Sequence, residues 1–172
     1  MRYSQIVPFE VCNGEGIGCS LFTQGCRFNC KGCFNQDAWD INGGKEWTYE
    51  VDDKFFELIS KPYIKRVSIL GGEPLIEENL SMLYHMIATI KKLYPDKKIW
   101  LYTGYTFDEL MSKHIYLNDE RRFILKYCDV LVEGRFEEDK KDLTLKFRGS
   151  TNQRVIDVQK SLKQNKIILY CD

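Results

Sequence analysis

The sequence predicts an α/β fold, a mostly parallel sheet with helices outside it, on three observations. Short β-prone runs alternate with longer amphipathic ones along the chain. The strand-like runs stop at glycine or at polar loops, where such folds collect their chemistry. The length, 172 residues, suits one domain (1–172) with a real core but is short for a full eight-stranded α/β barrel.

The elements follow in order. The opening MRYSQIVPFE lacks the long apolar run of a secretion signal, and no apolar segment approaches transmembrane length, so a cytoplasmic, reducing location is the default. CSLFTQ (19–24) is short and β-prone and runs straight into a cysteine-rich loop. TYEVDDKFFELIS (48–60) offers Thr48 as a helix cap, early acids, then Phe55, Phe56, Leu58 and Ile59 on a helical stripe. RVSIL (66–70) is a compact strand that stops at Gly71-Gly72. The clearest helix is 77–95, where Leu80, Leu83, Tyr84, Ile87 and Ile90 keep i, i+3, i+4 spacing, lysines suit the C-terminal dipole and Pro95 ends it. Strand KIWLY (98–102), helices near 106–114 and 119–127, and strand DVLVEG (129–134) follow; LTLKF, RVIDV and KIILY read as further short strands. Four loops then share one sheet edge: the cysteine loop, Gly71-Gly72-Glu73-Pro74, Thr103-Gly104-Tyr105 and Glu133-Gly134-Arg135.

Lysine plus arginine and aspartate plus glutamate balance at 25 each, which argues against binding nucleic acid or an anionic membrane by bulk electrostatics. Seven cysteines are an odd number and, in a reducing compartment, a poor disulfide framework. Cys19 and Cys128, in apolar runs, read as small buried core residues, and Cys171 as part of an idle terminus. Cys26, Cys30 and Cys33 are different: QGCRFNCKGCFN spaces them C-x3-C-x2-C, with no fourth cysteine near.

Three sites fit such a triplet. A zinc site needs a fourth ligand, for which the histidines are His85 and His114. A conventional electron-transfer cluster needs a fourth thiolate, such as Cys128 or Cys171. The third leaves one iron of a [4Fe–4S] cluster open to substrate, as catalytic metal sites do.

C-x3-C-x2-C followed after the next strand by GGEP resembles the radical S-adenosylmethionine superfamily. NGEGIGCSLFTQGCRFNCKGCFNQDAWDINGG, LGGEPL, IWLYTGYTFDEL, DVLVEGRFEED and FRGSTNQRVIDV together resemble the activating-protein family of the anaerobic (class III) ribonucleoside-triphosphate reductases, over about residues 3–158. The resemblance implies a partial, laterally open (β/α) barrel of about five to six mostly parallel strands, open enough to admit a protein segment. It implies that a reduced [4Fe–4S] cluster cleaves S-adenosylmethionine to methionine and a 5′-deoxyadenosyl radical, which takes a hydrogen from a glycine of the partner reductase. A flavodoxin-type electron donor follows by the same analogy.

By the resemblance Cys26, Cys30 and Cys33 ligate three irons, and Gly71, Gly72 and Glu73 hold the methionyl amino group. Thr103 is placed at the ribose or methionine, and Arg135 or Arg148 at the methionine carboxylate, which a guanidinium can bind through two bonds. Gly32 stands where the wider superfamily often has an adenine-packing aromatic, which leaves that contact to backbone or to Phe34. The alternatives are an activase of another glycyl-radical enzyme, and a zinc or iron–sulfur binding module without catalysis.

Overall fold

A computed structural model describes residues 1–171. In chain order the elements are β1 (Arg2–Glu10), β2 (Gly18–Thr23), β3 (Lys45–Glu46), α1 (Tyr49–Ser60), β4 (Arg66–Gly71), α2 (Glu77–Leu93), β5 (Lys98–Thr103), α3 (Phe107–Met111), α4 (Asn118–Tyr127), β6 (Val130–Glu133), β7 (Arg154–Asp157), α5 (Val158–Gln164) and β8 (Leu169–Cys171). The strands form one α/β sheet in the order β3-β1-β2-β4-β5-β6-β7-β8.

The expectation of five or six mostly parallel strands needs correction. Eight strands make a mixed sheet. Only the centre is parallel, β2 to β4 to β5 to β6. Both margins are antiparallel, β1 and β3 on one side, β7 and β8 on the other. A parallel neighbour needs a crossover, and α1, α2, or α3 with α4 supplies one between each pair of central strands, whereas the chain returns antiparallel into β7 and again, after α5, into β8. LTLKF is also corrected: residues 143–147 form no strand, and Phe147 takes a left-handed φ of 63°.

Period-2 alternation divides the sheet into two unlike faces. Cys19, Leu21, Val67, Ile69, Ile99, Leu101, Leu131 and Ile156 join one core with Phe55, Leu83, Ile87, Leu110, Ile124 and Val158, so all five helices pack on this face. The opposite face carries a smaller cluster of Trp100, Val130, Val132 and Val155, with Tyr102, Phe147 and Tyr170 against it. Cys19 and Cys128 are fully buried, as expected.

Local chemistry sets the helix ends. Val51 N–H donates to the Thr48 hydroxyl at the start of α1. Thr106 and Glu109 form a reciprocal capping box on α3. Among the described residues no helix is long and apolar enough to cross a membrane.

Candidate active site

The ends of β2, β4, β5 and β6 meet at one edge, and a cavity of about 500 Å³ opens there onto the helix-free face. Cys26, Cys30 and Cys33 line it, with Gly32, Phe34, Gly71, Gly72, Glu73, Thr103, Arg135 and Arg148. The site residues expected from sequence therefore share one space.

The cysteine loop is built on its own backbone and on its neighbour's. Gly25 N–H donates to Ala38 O (2.8 Å) and Cys26 N–H to Trp39 O (3.1 Å). The buried Gln24 amide ties the loop's return, donating to Asp37 O and Asp40 O at 2.9 Å each. Glu73 N–H then donates to Gly25 O (2.7 Å) and Gly72 N–H to Thr23 O (2.8 Å), so the cysteine loop and the GGEP loop are one hydrogen-bonded unit. The approach requires glycine at 72: a Cβ there would collide with the Gly25 carbonyl.

Phe28, between the first two cysteines, anchors the loop from the other side. Its ring meets Tyr105 edge-on at 4.9 Å, and Arg135 lies over it at 4.6 Å. It packs so tightly on Gly104 that any side chain there would strike it at 2.5 Å. Arg121 in turn covers Tyr105 at 4.5 Å and donates to its hydroxyl.

Glu73 is 2% exposed. Its Oε1 accepts from Leu75 N–H (2.9 Å) and the Thr103 hydroxyl (2.8 Å), and its Oε2 accepts from Gly104 N–H (2.7 Å). Burial pushes its carboxyl up to about 7, against the lowering effect of those three donors. Thr103 and Glu73 thus hold one another, and together they tie the loop after β4 to the loop after β5. Arg135 is also engaged, with Phe28 and with Glu109 at 3.4 Å. Arg148 differs: its Nε is buried and has no hydrogen-bond partner among the described residues. Phe34, 95% exposed, stands at the cavity mouth.

Burial raises the Cys26 and Cys30 thiols above their ordinary value, with backbone hydrogen bonds opposing. All three cysteines are free of disulfides. They surround the cavity rather than a point: among the described residues no three His, Cys, Asp or Glu converge closely enough for a single metal ion. The fourth-ligand candidates lie elsewhere. His85 and His114 are exposed and outside the lining, Cys171 is outside it too, and Cys128 is buried in the helix-side core with its thiol donating to Ile124 O.

Sequence reasoning missed Phe28, Tyr102 and Asn13 on the lining. Alternation in KIWLY carried the signal for Tyr102, since Ile99 and Leu101 face the helices and Trp100 and Tyr102 the other side.

Residues 12–156 match the family model described as a 4Fe-4S single cluster domain. A Vibrio cholerae protein is 41% identical over 155 residues, covering 89% of this chain and 96% of its own length. An Escherichia coli K12 protein is 36% identical over 157 residues (90% and 97%), and one from bacteriophage T4 is 33% identical over 155 (90% and 93%). Each of the three is named anaerobic ribonucleoside-triphosphate reductase-activating protein.

Proposed function

Because the chain belongs to the family of anaerobic ribonucleoside-triphosphate reductase-activating proteins, with its 4Fe-4S single cluster domain, we propose that it activates that reductase as a radical S-adenosylmethionine enzyme. The observation that carries the reading is the shared cavity: three free cysteines and the GGEP loop line one space, and that loop is hydrogen-bonded to Thr23 and Gly25, just before the first cysteine.

Cys26, Cys30 and Cys33 would hold the [4Fe–4S] cluster, and the cavity they line would give S-adenosylmethionine room beside it. When bound, the cluster and S-adenosylmethionine would supply the radical chemistry that removes a hydrogen from a glycine Cα of the reductase. The chain's own residues position. The backbone of Gly71 and Gly72 receives the methionyl ammonium, and the Glu73 carboxylate behind it adds negative charge while fixing the loop on Thr103 and Gly104. Arg148, buried and unpartnered at Nε, suits the methionine carboxylate better than Arg135, which Phe28 and Glu109 hold. Gly32 and Phe34 flank the mouth where adenine would lie. On this reading the sheet is a partial barrel open at the side, and the reductase's glycine segment enters there. A cytoplasmic reductant of the flavodoxin type supplies electrons.

The test is an electron paramagnetic resonance spectrum of anaerobically reconstituted, reduced protein. A [4Fe–4S]⁺ signal that changes shape on adding S-adenosylmethionine, and a glycyl radical once the reductase is added, are expected. Zinc in place of iron, or a cluster indifferent to S-adenosylmethionine, would overturn the reading.

A further inference from the structure

Three buried side-chain polar atoms lack a hydrogen-bond partner among the described residues: the Tyr102 hydroxyl, Arg148 Nε and Asn152 Oδ1. Tyr102 and Arg148 both line the cysteine cavity. Buried donors are costly to leave unmade and folded proteins keep few of them, so two on one cavity mark where a ligand brings acceptors.

The charge of the lining narrows the ligand. Its one carboxylate among the described residues, Glu73, already accepts three hydrogen bonds. Arg135, Lys141 and Arg148 make the rest of the lining cationic. S-adenosylmethionine is cationic at its sulfonium and its ammonium, which a guanidinium repels; its single anionic group is the carboxylate. The amino group and carboxylate share one carbon, so the residues that hold them must be neighbours. Tyr102 and Arg148 line the same cavity as Gly71 and Gly72, whose backbone is read above as the ammonium site.

We propose that Tyr102 and Arg148 form the carboxylate clamp of the site, the hydroxyl and Nε–H both donating to the methionine carboxylate, and that this pair selects S-adenosylmethionine over its decarboxylated form. The proposal rests on the cofactor reading above. It adds a specificity-determining tyrosine that no motif marks. The ring itself is held by apolar packing with Trp100, Val130 and Val132, so Tyr102→Phe removes the hydroxyl and leaves the surroundings intact.

The experiment titrates cluster-loaded wild type, Tyr102→Phe and Arg148→Met anaerobically with S-adenosylmethionine and, separately, with decarboxylated S-adenosylmethionine. Tyr102→Phe is expected to weaken S-adenosylmethionine binding about five- to tenfold and Arg148→Met more than tenfold. All three proteins should bind the decarboxylated form equally. Without ligand, Tyr102→Phe should melt at the same temperature as wild type or higher, since it removes an unpartnered hydroxyl. Unchanged S-adenosylmethionine affinity, an equal loss for both compounds, or a lower melting temperature without ligand would overturn the clamp while leaving the cofactor reading intact. A wild-type protein that binds no S-adenosylmethionine would overturn both.

Discussion

The two ends of β4 bury charge in opposite ways. At its start, Arg66 is wholly buried and fully partnered, donating to Glu10 Oε1 (2.7 Å), Asn13 O (2.7 Å), Glu15 O and Gly16 O (3.2 Å each) and to Ser68. At its end, Glu73 is nearly as buried but has no ion pair among the described residues; two backbone N–H groups and one hydroxyl hold it. The Arg66 end closes, because an ion pair with every donor used leaves nothing for a ligand and pins residues 10–16 across the helix-free face. The Glu73 end stays open, because neutral donors fix the carboxylate without cancelling its charge. Strand starts here supply stability and strand ends supply the candidate chemistry.

Substitutions should separate those roles. The largest effect is expected at the open end. Serine at Cys26, Cys30 or Cys33 should abolish cluster absorbance and glycyl-radical formation, while unfolding free energy stays within about 1 kcal/mol, because these side chains line a cavity rather than fill a core. Retained cluster in any single variant would remove that cysteine from the ligand set. Next comes the closed end. Arg66→Met strands the Glu10 carboxylate in a buried place and should lower stability by about 3–5 kcal/mol in urea unfolding. A loss under 1 kcal/mol would mean that the pair does not pin the loop.

The same contrast explains what could be read in advance. Elements between two crossovers were legible: the helix expected at 77–95 runs Glu77–Leu93, and the strand expected at 66–70 runs Arg66–Gly71. Their apolar periodicity comes from burial that the sequence itself encodes. The margins were not. β1 carries Pro8 and an irregular register between Val7 and Glu10, and none of its residues is fully buried, so it shows neither alternation nor a continuous apolar run. β3 is two residues long and exists only by pairing with Arg2 and Tyr3. The site residues named from motifs all reach one cavity, because motifs record loops at strand ends. The partners of those residues are set by tertiary contacts: Glu73 with Gly104, Arg135 with Phe28, and Arg148 Nε with none.

The pH dependence of stability should have opposite signs at the two ends. Burial raises Glu73 to about 7, above its unfolded value of 4.5, so its contribution is fully present below pH 4.5 and is lost as pH rises through 7. The span is about 3 kcal/mol. At Glu10 burial also pushes upward, but hydrogen bonds from Arg66, Ser20 and Asn13 outweigh it and hold the carboxyl below 4.5. Its contribution is present above pH 4.5 and is lost as pH falls through the lowered value. Urea unfolding of ligand-free protein across pH 3–8 should show both arms. Glu73→Gln should flatten the arm between pH 4.5 and 7 whatever its absolute stability; an unchanged slope would assign that arm to another group.

The smallest effect separates a structural hydrogen bond from a functional one at the open end itself. Thr106 accepts from Glu109 N–H at 3.1 Å while Glu109 accepts from Thr106 N–H at 2.7 Å, two residues beyond the Gly104 amide that holds Glu73. Thr106→Ala removes one half of this box and should cost about 1 kcal/mol. Neither residue lines the cavity, so cluster content and S-adenosylmethionine affinity should be those of wild type. If affinity falls with stability, the loop after β5 transmits strain from its helix cap to the Glu73 clamp, and the open end is less rigid than its hydrogen bonds suggest. If only stability falls, the Glu73, Thr103 and Gly104 contacts suffice to hold the edge on which the cavity opens.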